Sequence, residues 1–255
     1  PVSNERRRLV AGNWKMNGSR AMATALARGV VDAGLDNALD VVLCPPAVYL
    51  ETVGAAIAGS GVLLGAQDCS EHAPGAYTGE VAAEMLADCG ASHVIIGHSE
   101  RRQMFGDTDA RVVAKLKAAR AHGLTPILCV GETLDERRAD ATETVIGRQL
   151  DALLTLPEAA TLLAEMVIAY EPVWAIGTGE SASPAQAQAV HAFIRARLAA
   201  LDTGTAARIR LLYGGSVKPD NAAELFAQRD IDGGLIGGAA LAVASFTAVC
   251  RAALA

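Results

Sequence analysis

The chain lacks an excess of positive charge and lacks any apolar run long enough to cross a membrane. Its 22 basic residues are outnumbered by 28 acidic ones, which gives a net charge of −6. Because nucleic-acid-binding domains need a basic face, we expect no nucleic-acid partner. A bilayer span needs about 20 consecutive apolar residues. Neither such a run nor a signal-peptide pattern is present, so we expect no membrane association and a cytoplasmic location.

The sequence also lacks paired cysteines. The five cysteines are odd in number, scattered, and never spaced as C-x-x-C. This pattern excludes a disulfide framework and a cysteine-based metal site, and it fits a reducing compartment. The five histidines show no H-E-x-x-H spacing, so we expect no bound metal. No flavin motif or nucleotide-binding loop accompanies them, so we also expect no cofactor.

Short runs rich in Val, Ile and Leu are, by contrast, abundant, and they alternate with longer Ala-rich stretches. Most of these runs are apolar at every position, which is typical of strands covered on both faces in a parallel sheet. The basic segment Arg6-Arg7-Arg8 before the first run is interpreted as a solvated lead-in to it. Eight runs are predicted to be strands, at residues 9–12, 40–44, 62–66, 93–96, 125–130, 166–169, 209–212 and 233–236.

Eight strand–helix units predict an α/β fold, a closed (β/α)8 barrel of eight parallel strands ringed by helices. An open doubly wound sheet is the alternative, but no G-x-G-x-x-G follows the first strand. No segment rich in Gly, Ser or Pro is long enough to be a linker, so residues 1–255 are predicted to form a single barrel domain. In such a barrel the chemistry lies in the loops that follow the strands.

Two helix starts can be predicted from capping residues. Ser183 places a capping hydroxyl before Pro184. Asp107 or Asp109 is predicted to cap the helix that ends at His122-Gly123. The helix after Ser183 is predicted to have an apolar face at Val190, Phe193, Ile194, Leu198 and Leu201.

The most informative stretch lies at residues 166–179. An apolar strand ends at Glu171, and a loop that begins with Pro172 and contains Gly177 and Gly179 follows at once. A carboxylate on a rigid strand end, covered by a loop able to move as a lid, suits a general base that needs water excluded. The alternative is an ordinary surface loop in which Glu171 caps a nearby group.

Two further predicted strand ends carry functional side chains. Lys15 follows the first strand, where a compact ammonium can hold a phosphate or stabilise an oxyanion. His98 follows the fourth, where an imidazole can polarise a carbonyl or move protons. The alternatives are a solvated lysine and a structural histidine. Arg101 and Arg102 are predicted to make structural ion pairs or to face a partner.

Glycine pairs follow the last two predicted strands, at 214–215 and 237–238. Both pairs can present backbone N–H groups where barrels commonly bind phosphate, although glycine pairs also serve tight turns. One carboxylate, one histidine, one lysine and a phosphate cradle predict proton transfer beside a carbonyl in a small phosphorylated sugar. A Schiff-base aldolase that uses Lys15 and a non-catalytic barrel scaffold are the alternatives.

The same motifs resemble those of the triosephosphate isomerase family along nearly the whole chain. The residues that carry the resemblance are Asn13-Trp-Lys15, Gly97-His-Ser-Glu-Arg-Arg102, Tyr170-Glu-Pro-Val-Trp-Ala-Ile-Gly-Thr-Gly179 and Tyr213-Gly-Gly-Ser-Val217. The resemblance implies a TIM barrel enzyme of glycolysis and gluconeogenesis. It implies the cofactor-free interconversion of dihydroxyacetone phosphate and D-glyceraldehyde 3-phosphate through an enediolate.

The resemblance also implies a role for each site residue. Glu171 is implied to be the base, His98 the neutral electrophile, and Lys15 the group that stabilises negative charge. Asn13 is implied to assist Lys15, and Glu100 to orient it. The implied phosphate contacts are Gly177, Ser216, Gly237 and Gly238, and the implied lid and apolar clamp are Pro172, Val173, Trp174, Ala175, Ile176 and Leu235.

Residues 73–80 resemble a protruding loop that enters a neighbouring subunit in this family. By that likeness Tyr77, Thr78 and Gly79 are expected to form the dimer loop, with Thr78 close to the partner subunit's active site. The resemblance therefore implies that a homodimer is the competent form. Cys129 resembles a buried residue that packs near the base, and it is not expected to be a nucleophile.

Four features depart from the commonest family pattern. Asp68 and Asp107 are expected to alter subunit contacts, since asparagine and glutamate are frequent at their positions. Gly234 stands where phenylalanine is common, so the packing behind the phosphate loop is expected to be looser. Glu180-Ser181 at the end of the lid is expected to change the rate of lid opening, not the chemistry.

Overall fold

The computed structural model describes residues 6–255 of the chain. Eight strands form a closed barrel in which sequence order is also spatial order, and each described strand pair is parallel. The predicted closed barrel is therefore confirmed. The strands are β1 Leu9–Asn13, β2 Asp40–Cys44, β3 Leu63–Ala66, β4 His93–Ile96, β5 Thr125–Val130, β6 Val167–Tyr170, β7 Arg210–Tyr213 and β8 Gly233–Ile236.

Helices follow the strands and ring the barrel. Three short 3-10 helices lie in the described loops, at Ala47–Tyr49, Val173–Ala175 and Gly238–Leu241. The α-helices of residues 6–255 are α1 Arg20–Asp32, α2 Leu50–Ile57, α3 Ala83–Asp88, α4 Ser99–Met104, α5 Asp109–Ala121, α6 Leu134–Arg138, α7 Thr142–Leu154, α8 Ala159–Leu163, α9 Pro184–Ala199, α10 Thr203–Arg208, α11 Ala222–Phe226 and α12 Val243–Ala252. None of these helices has both the length and the apolar character needed to cross a membrane.

The apolar strands supply two separate layers of core. Alternate residues along a strand point to opposite faces, so one set fills the barrel axis and the other packs under the helices. In β1, Leu9 and Ala11 belong to the inner cluster, whereas Val10 belongs to the outer one. This double burial explains why the strands are apolar at every position instead of alternating.

All eight predicted strands are present in the structure. Four of them differ from the predicted range by one residue, at one end or at both ends. β1 extends to Asn13 and β3 begins at Leu63. β6 and β7 each begin and end one residue later than predicted. For β7 the reason is the preceding helix, because the backbone N–H of Ile209 donates to Thr205 and so completes α10.

The predicted caps are confirmed at one helix and wrong at the other. The Ser183 hydroxyl accepts a hydrogen bond from the N–H of Gln186, and Pro184 occupies the first turn of α9. Leu201 lies beyond the end of α9 and is 41% exposed, so it does not extend the apolar face. α5 is capped by Thr108, whose hydroxyl accepts from the N–H of Arg111, and not by Asp107 or Asp109.

The carboxyl group of Asp107 is instead part of a buried ionic cluster. Lys115 Nζ lies 2.9 Å from Asp107 Oδ2 and 3.0 Å from Asp68 Oδ1, and Arg101 Nε contacts both carboxylates as well. Burial alone would raise the pKa of Asp107, but the hydrogen bond and charge of Lys115, with Arg101, hold that pKa below its usual value. Asp68 and Asp107, the two residues that differ from the commonest family pattern, thus pair with the same two cations, Lys115 and Arg101. Arg102 pairs with Asp109, so both arginines make the predicted ion pairs.

Two other expectations are wrong. Arg6 and Arg8 are half-buried, because Arg6 pairs with Asp232 at 2.7 Å and Arg8 donates to the carbonyl of Ile231 at 2.6 Å. Arg6 and Arg8 are therefore held against the residues that precede β8, and within the predicted solvated lead-in only Arg7 is exposed. The packing at Gly234 is tight, since a Cβ added there would lie 2.7 Å from Ile236 and 3.1 Å from Phe226.

Stability should fall as the pH is lowered, because two histidines are buried in neutral form. Burial lowers the pKa of His93 and of His191 to about 4, from about 6.5 when exposed. Between these values the unfolded chain binds more protons than the folded one, so acid favours unfolding. We expect a loss of about 2 kcal/mol per histidine between pH 7 and pH 5, measured by urea unfolding. His191→Gln should flatten this dependence and His122→Gln, at an exposed turn, should leave it unchanged. Equal stability at pH 7 and pH 5 would contradict the conclusion that His93 and His191 are buried in neutral form.

Candidate active site

The carboxyl ends of five strands meet around one cavity at the mouth of the barrel. The cavity has a volume of about 300 Å³, and we call it the substrate cavity. Glu100 and the first lid residues, 172–175, lie outside its wall. The predicted site residues that line it are Asn13, Lys15, His98, Glu171, Ile176, Gly177, Ser216, Leu235, Gly237 and Gly238.

Glu171 stands directly after β6 and is only 1% exposed. Its backbone N–H donates to the carbonyl of Val130, which fixes it to β5. Its Oε2 accepts a hydrogen bond of 3.0 Å from the backbone N–H of Ser99. Its Oε1 lies 3.0 Å from His98 Nε2 but outside hydrogen-bond geometry, so within residues 6–255 that oxygen has no hydrogen-bond partner. A buried carboxylate oxygen left in this way is available to accept a proton.

His98 presents one ring nitrogen to the cavity and uses the other at the start of α4. Its Nδ1 accepts a hydrogen bond of 3.1 Å from the backbone N–H of Glu100. A nitrogen that accepts carries no proton, so the ring is neutral with its hydrogen on Nε2. The Nε2–H group is therefore a donor positioned beside Glu171.

Lys15 adopts a left-handed backbone conformation, with φ of 53°, which is uncommon for a residue other than glycine. The side-chain oxygen of Asn13 accepts from its N–H at 2.9 Å, and Gln67 donates to its carbonyl at 2.7 Å. The ammonium lies 2.6 Å from Glu100 Oε1. The surrounding residues thus hold the lysine in a strained conformation. Gln67 was missed in the sequence because a single glutamine after a strand belongs to no recognisable pattern.

The far end of the substrate cavity is lined by backbone and glycine. Gly237 and Gly238 follow β8 and lead into the 3-10 helix Gly238–Leu241. The backbone N–H of Ser216 donates to the carbonyl of Ala175 at 3.0 Å, so the loop after β7 touches the lid. Lys218 also lines the cavity and adds a cation that the sequence patterns did not single out. Amide groups and ammonium groups together suit a phosphate.

The base of the lid is anchored to a second buried carboxylate. Glu132 is fully buried and accepts hydrogen bonds from the Tyr170 hydroxyl at 2.8 Å and from the Trp174 indole N–H at 3.0 Å. Burial raises the pKa of Glu132 despite these two donors. Arg137 lies over the Trp174 ring, 5.1 Å from its centroid. Gly177 and Gly179 have φ of 68° and 78°, which places both glycines in left-handed conformations in the lid.

Glu132→Gln should loosen the lid. Oε1 accepts from both Tyr170 and Trp174, and a neutral amide oxygen is a weaker acceptor for these two hydrogen bonds than a carboxylate. The amide NH2 would also replace Oε2, which lies 3.1 Å from the Tyr170 hydroxyl. A hydrogen bond to a charged group contributes about 1.5–3 kcal/mol, so we expect kcat/KM to fall about tenfold or more. The fluorescence anisotropy of Trp174 should fall as well. Glu143→Gln, at an exposed position of α7, is the control and should change neither value.

Cys129 packs against the rear of the base, as expected. It is buried, and burial, followed by the nearby Glu171 carboxylate, raises the pKa of its thiol well above the usual value. A thiol that stays protonated is a poor nucleophile. Cys129 therefore contributes packing and not covalent chemistry.

The closed barrel and this site define an enzyme that moves a proton within a small phosphorylated substrate. A buried carboxylate, a neutral imidazole and an ammonium meet beside an amide-lined end of one cavity. The triosephosphate isomerase family model matches residues 8–253 of the chain. The chain therefore belongs to the triosephosphate isomerase family, whose members interconvert triose phosphates.

Individual relatives agree with this assignment. The triosephosphate isomerase of Thiobacillus denitrificans is 58% identical over 248 residues, which is 97% of this chain and 99% of that protein. That of Dechloromonas aromatica is 56% identical over 249 residues, with 97% and 99% covered. The crystal structure of triosephosphate isomerase from Bartonella henselae superposes with a TM-score of 0.89 at 41% identity, covering 98% of this chain and all of that one.

Proposed function

We propose that residues 1–255 act as a single catalytic barrel in which Glu171 is the base of the triose phosphate interconversion. The observation that supports this most directly is the shared cavity, in which Glu171 Oε1 lies 3.0 Å from His98 Nε2. Glu171 takes a proton from the carbon next to the substrate carbonyl. His98 donates its Nε2 hydrogen to the carbonyl oxygen, where negative charge develops in the enediolate. His98 then takes the hydrogen of the neighbouring hydroxyl oxygen, so the hydroxyl and carbonyl groups exchange places and the imidazole regains its hydrogen. Glu171 then returns the proton to the adjacent carbon.

Lys15 stabilises the developing charge as a fixed ammonium. Glu100 holds the Lys15 ammonium at 2.6 Å, and Asn13 holds the Lys15 backbone. The contact with Glu100 disfavours the aldolase alternative, because a Schiff base needs a free amine and the Lys15 nitrogen is engaged by a carboxylate. The reaction needs no cofactor, since each proton is moved by a side chain.

The phosphate group lies at the amide-lined end, bound by Gly177, Ser216, Gly237 and Gly238. The Ser216 N–H now donates to the carbonyl of Ala175, so a bound phosphate competes with the lid for that hydrogen. Phosphate binding is thereby coupled to movement of residues 172–176. Ile176 and Leu235 both line the cavity, and together they form the apolar clamp that removes water from the base.

A coupled isomerase assay on the purified protein tests the proposal. We expect turnover in both directions with no added metal or cofactor, and loss of turnover in His98→Gln. Borohydride treatment in the presence of substrate should leave Lys15 unmodified. A trapped Schiff base would establish the aldolase alternative, and absence of turnover would establish the scaffold alternative.

We propose further that the competent form is a homodimer in which Tyr77, Thr78 and Gly79 of one protomer enter its partner. The support is the exposed apolar side chains beside the active site, of which Met16 is 95% exposed. A cavity of about 410 Å³ beside Lys15 and Glu100 can receive the loop. Phe105, which is 58% exposed, lines this cavity together with Met16. Such a patch marks a protein interface.

Thr78→Arg should dissociate the dimer. A charged side chain placed in the desolvated centre of an interface costs several kcal/mol, so we expect a monomer in sedimentation experiments. Because the loop supports Lys15 across the interface, kcat should fall about tenfold or more. The control is Thr144→Arg on the exposed face of α7, which should stay dimeric and active. A fully active monomeric wild type would contradict the proposal.

We place the protein in the cytoplasm, with no nucleic-acid or membrane partner. The net charge of −6 and the five cysteines, which are free thiols, support this location. Glycolytic and gluconeogenic flux through triose phosphates requires an enzyme of this family. Recovery of the isomerase activity in the soluble cell fraction tests the location, and recovery in the membrane fraction would contradict it.

A further inference from the structure

A second cavity lies beside the base, separate from the substrate cavity. It has a volume of about 360 Å³, and we call it the rear cavity. Among the described residues, Glu171 alone lines both the rear cavity and the substrate cavity. The residues next to Glu171 in the wall of the rear cavity include Gly97, Ser99, Cys129 and Gly131.

The Glu171 carboxylate stands in the partition between the two cavities. Oε1 lies 3.0 Å from Nε2 of His98, which lines the substrate cavity. Oε2 accepts from the N–H of Ser99, which lines the rear cavity, at 3.0 Å. The two oxygens of one carboxyl group therefore contact the walls of different cavities.

The rear cavity is polar and open to solvent at its outer end. Gln149 and Arg102 line it, and both are hydrogen-bonded to the backbone. Gln103 and Thr108 are exposed at the mouth, and the side chain of Arg148 is 62% exposed there. A polar cavity of this size has room and hydrogen-bond partners for ordered water.

The lid covers the substrate cavity and not the rear cavity. Ile176, Gly177 and Gly179 line the substrate cavity, whereas Val173 at the base of the lid is the lid residue that lines the rear cavity within the described chain. Closure of the lid over the substrate therefore leaves the rear cavity uncovered.

We propose that the rear cavity is the path by which the proton held on Glu171 exchanges with solvent during turnover, an inference that rests on the proposed role of Glu171 as base. The carboxylate takes a proton from substrate carbon and becomes a carboxylic acid. Its O–H bond breaks as the proton passes to a water molecule in the rear cavity, and a new O–H bond forms to a different proton from that water. The carboxyl group regains its neutral form, and the exchanged proton is delivered to the adjacent carbon.

Blocking the mouth tests the path. The reaction is run in D2O, and NMR gives the ratio of product with deuterium at the receiving carbon to product that retains the substrate hydrogen. Arg148→Trp on α7 and Gln103→Trp on α4 each place an indole at the mouth. We expect this ratio to fall about threefold or more in both variants, with kcat/KM within about twofold of wild type. The matched control is Thr144→Trp, one turn before Arg148 on the exposed face of α7, which should leave the ratio unchanged.

Thermal melting and size-exclusion chromatography establish that each variant is folded and assembled as the wild type is. An unchanged ratio in active Arg148→Trp and Gln103→Trp overturns the rear path and leaves the role of Glu171 intact. Wild-type product that fully retains the substrate hydrogen overturns it as well. Full activity in Glu171→Asp would show that Glu171 is not the base, and it would overturn the proposed proton path as well.

Discussion

Glu171→Asp should lower kcat by about a hundredfold or more, because a misplacement of about 1 Å at the reacting group has an effect of that size. Aspartate withdraws the carboxylate from the substrate by one methylene. The backbone at residue 171 cannot move toward the substrate to compensate, because neighbouring segments of the same chain lie in close contact with it. A Cβ added at Gly131 would lie 1.7 Å from the Glu171 carbonyl oxygen, and one at Gly214 would lie 2.9 Å from Glu171 Cγ.

A coupled assay gives kcat and KM for the variant. KM should change little, because the phosphate contacts lie at the other end of the substrate cavity and remain in place. Glu143→Asp, an identical change at an exposed position of α7, is the matched control and should retain activity. Retention of full activity by Glu171→Asp would remove Glu171 from the role of base.

Gly131→Ala should damage both stability and activity. The added methyl group would lie 1.7 Å from the Glu171 carbonyl oxygen, a contact that backbone atoms relieve only by moving apart. Overpacking of this kind destabilises a protein by about 3 kcal/mol or more. Because the displaced strand end carries the base, kcat should fall by about a hundredfold as well.

The matched control is Gly54→Ala in the middle of α2. A Cβ there would have its nearest neighbour at 3.5 Å, an ordinary contact, and its backbone is helical. Alanine in a helix interior should stabilise the protein by about 0.5–1 kcal/mol. Urea unfolding of both variants should thus give shifts of opposite sign. Shifts of the same sign would show that glycine content, and not the close approach at Gly131, decides stability.

Local features of the chain were predictable from the sequence. The apolar runs predicted eight strands because burial on both faces leaves no polar position along them. Ser183 and Pro184 predicted the start of α9, since capping depends on a few adjacent residues. At the start of α5 the sequence offered two capping candidates, Asp107 and Asp109, and the prediction was wrong. Asp107 is drawn into an ion cluster with Lys115, and Thr108 caps the helix in its place.

The groups that support the site could not be predicted, because their partners are distant in sequence. Gln67 holds the carbonyl of Lys15 across 52 residues, and Glu132 holds Trp174 across 42. Neither lies in a recognisable motif. The burial of Arg6 follows from Asp232 at the other end of the chain. The rear cavity is lined by residues of α4, of α7 and of the loop after β5, which are far apart in sequence. Such features depend on tertiary structure, which a pattern of neighbouring residues does not encode.

The closure of the barrel has a consequence for synthesis of the protein. β1 pairs with β8, and Leu9 lies opposite Gly233. During synthesis β1 therefore has no β8 to pair with until more than two hundred further residues have been made. Until then a nascent chain carries exposed strand edges at both ends of an open sheet, and such edges are sites of aggregation. A chain truncated before Gly233 therefore lacks β8 and cannot close the barrel. We expect such truncated chains to depend on chaperones, whereas the complete chain folds without edges.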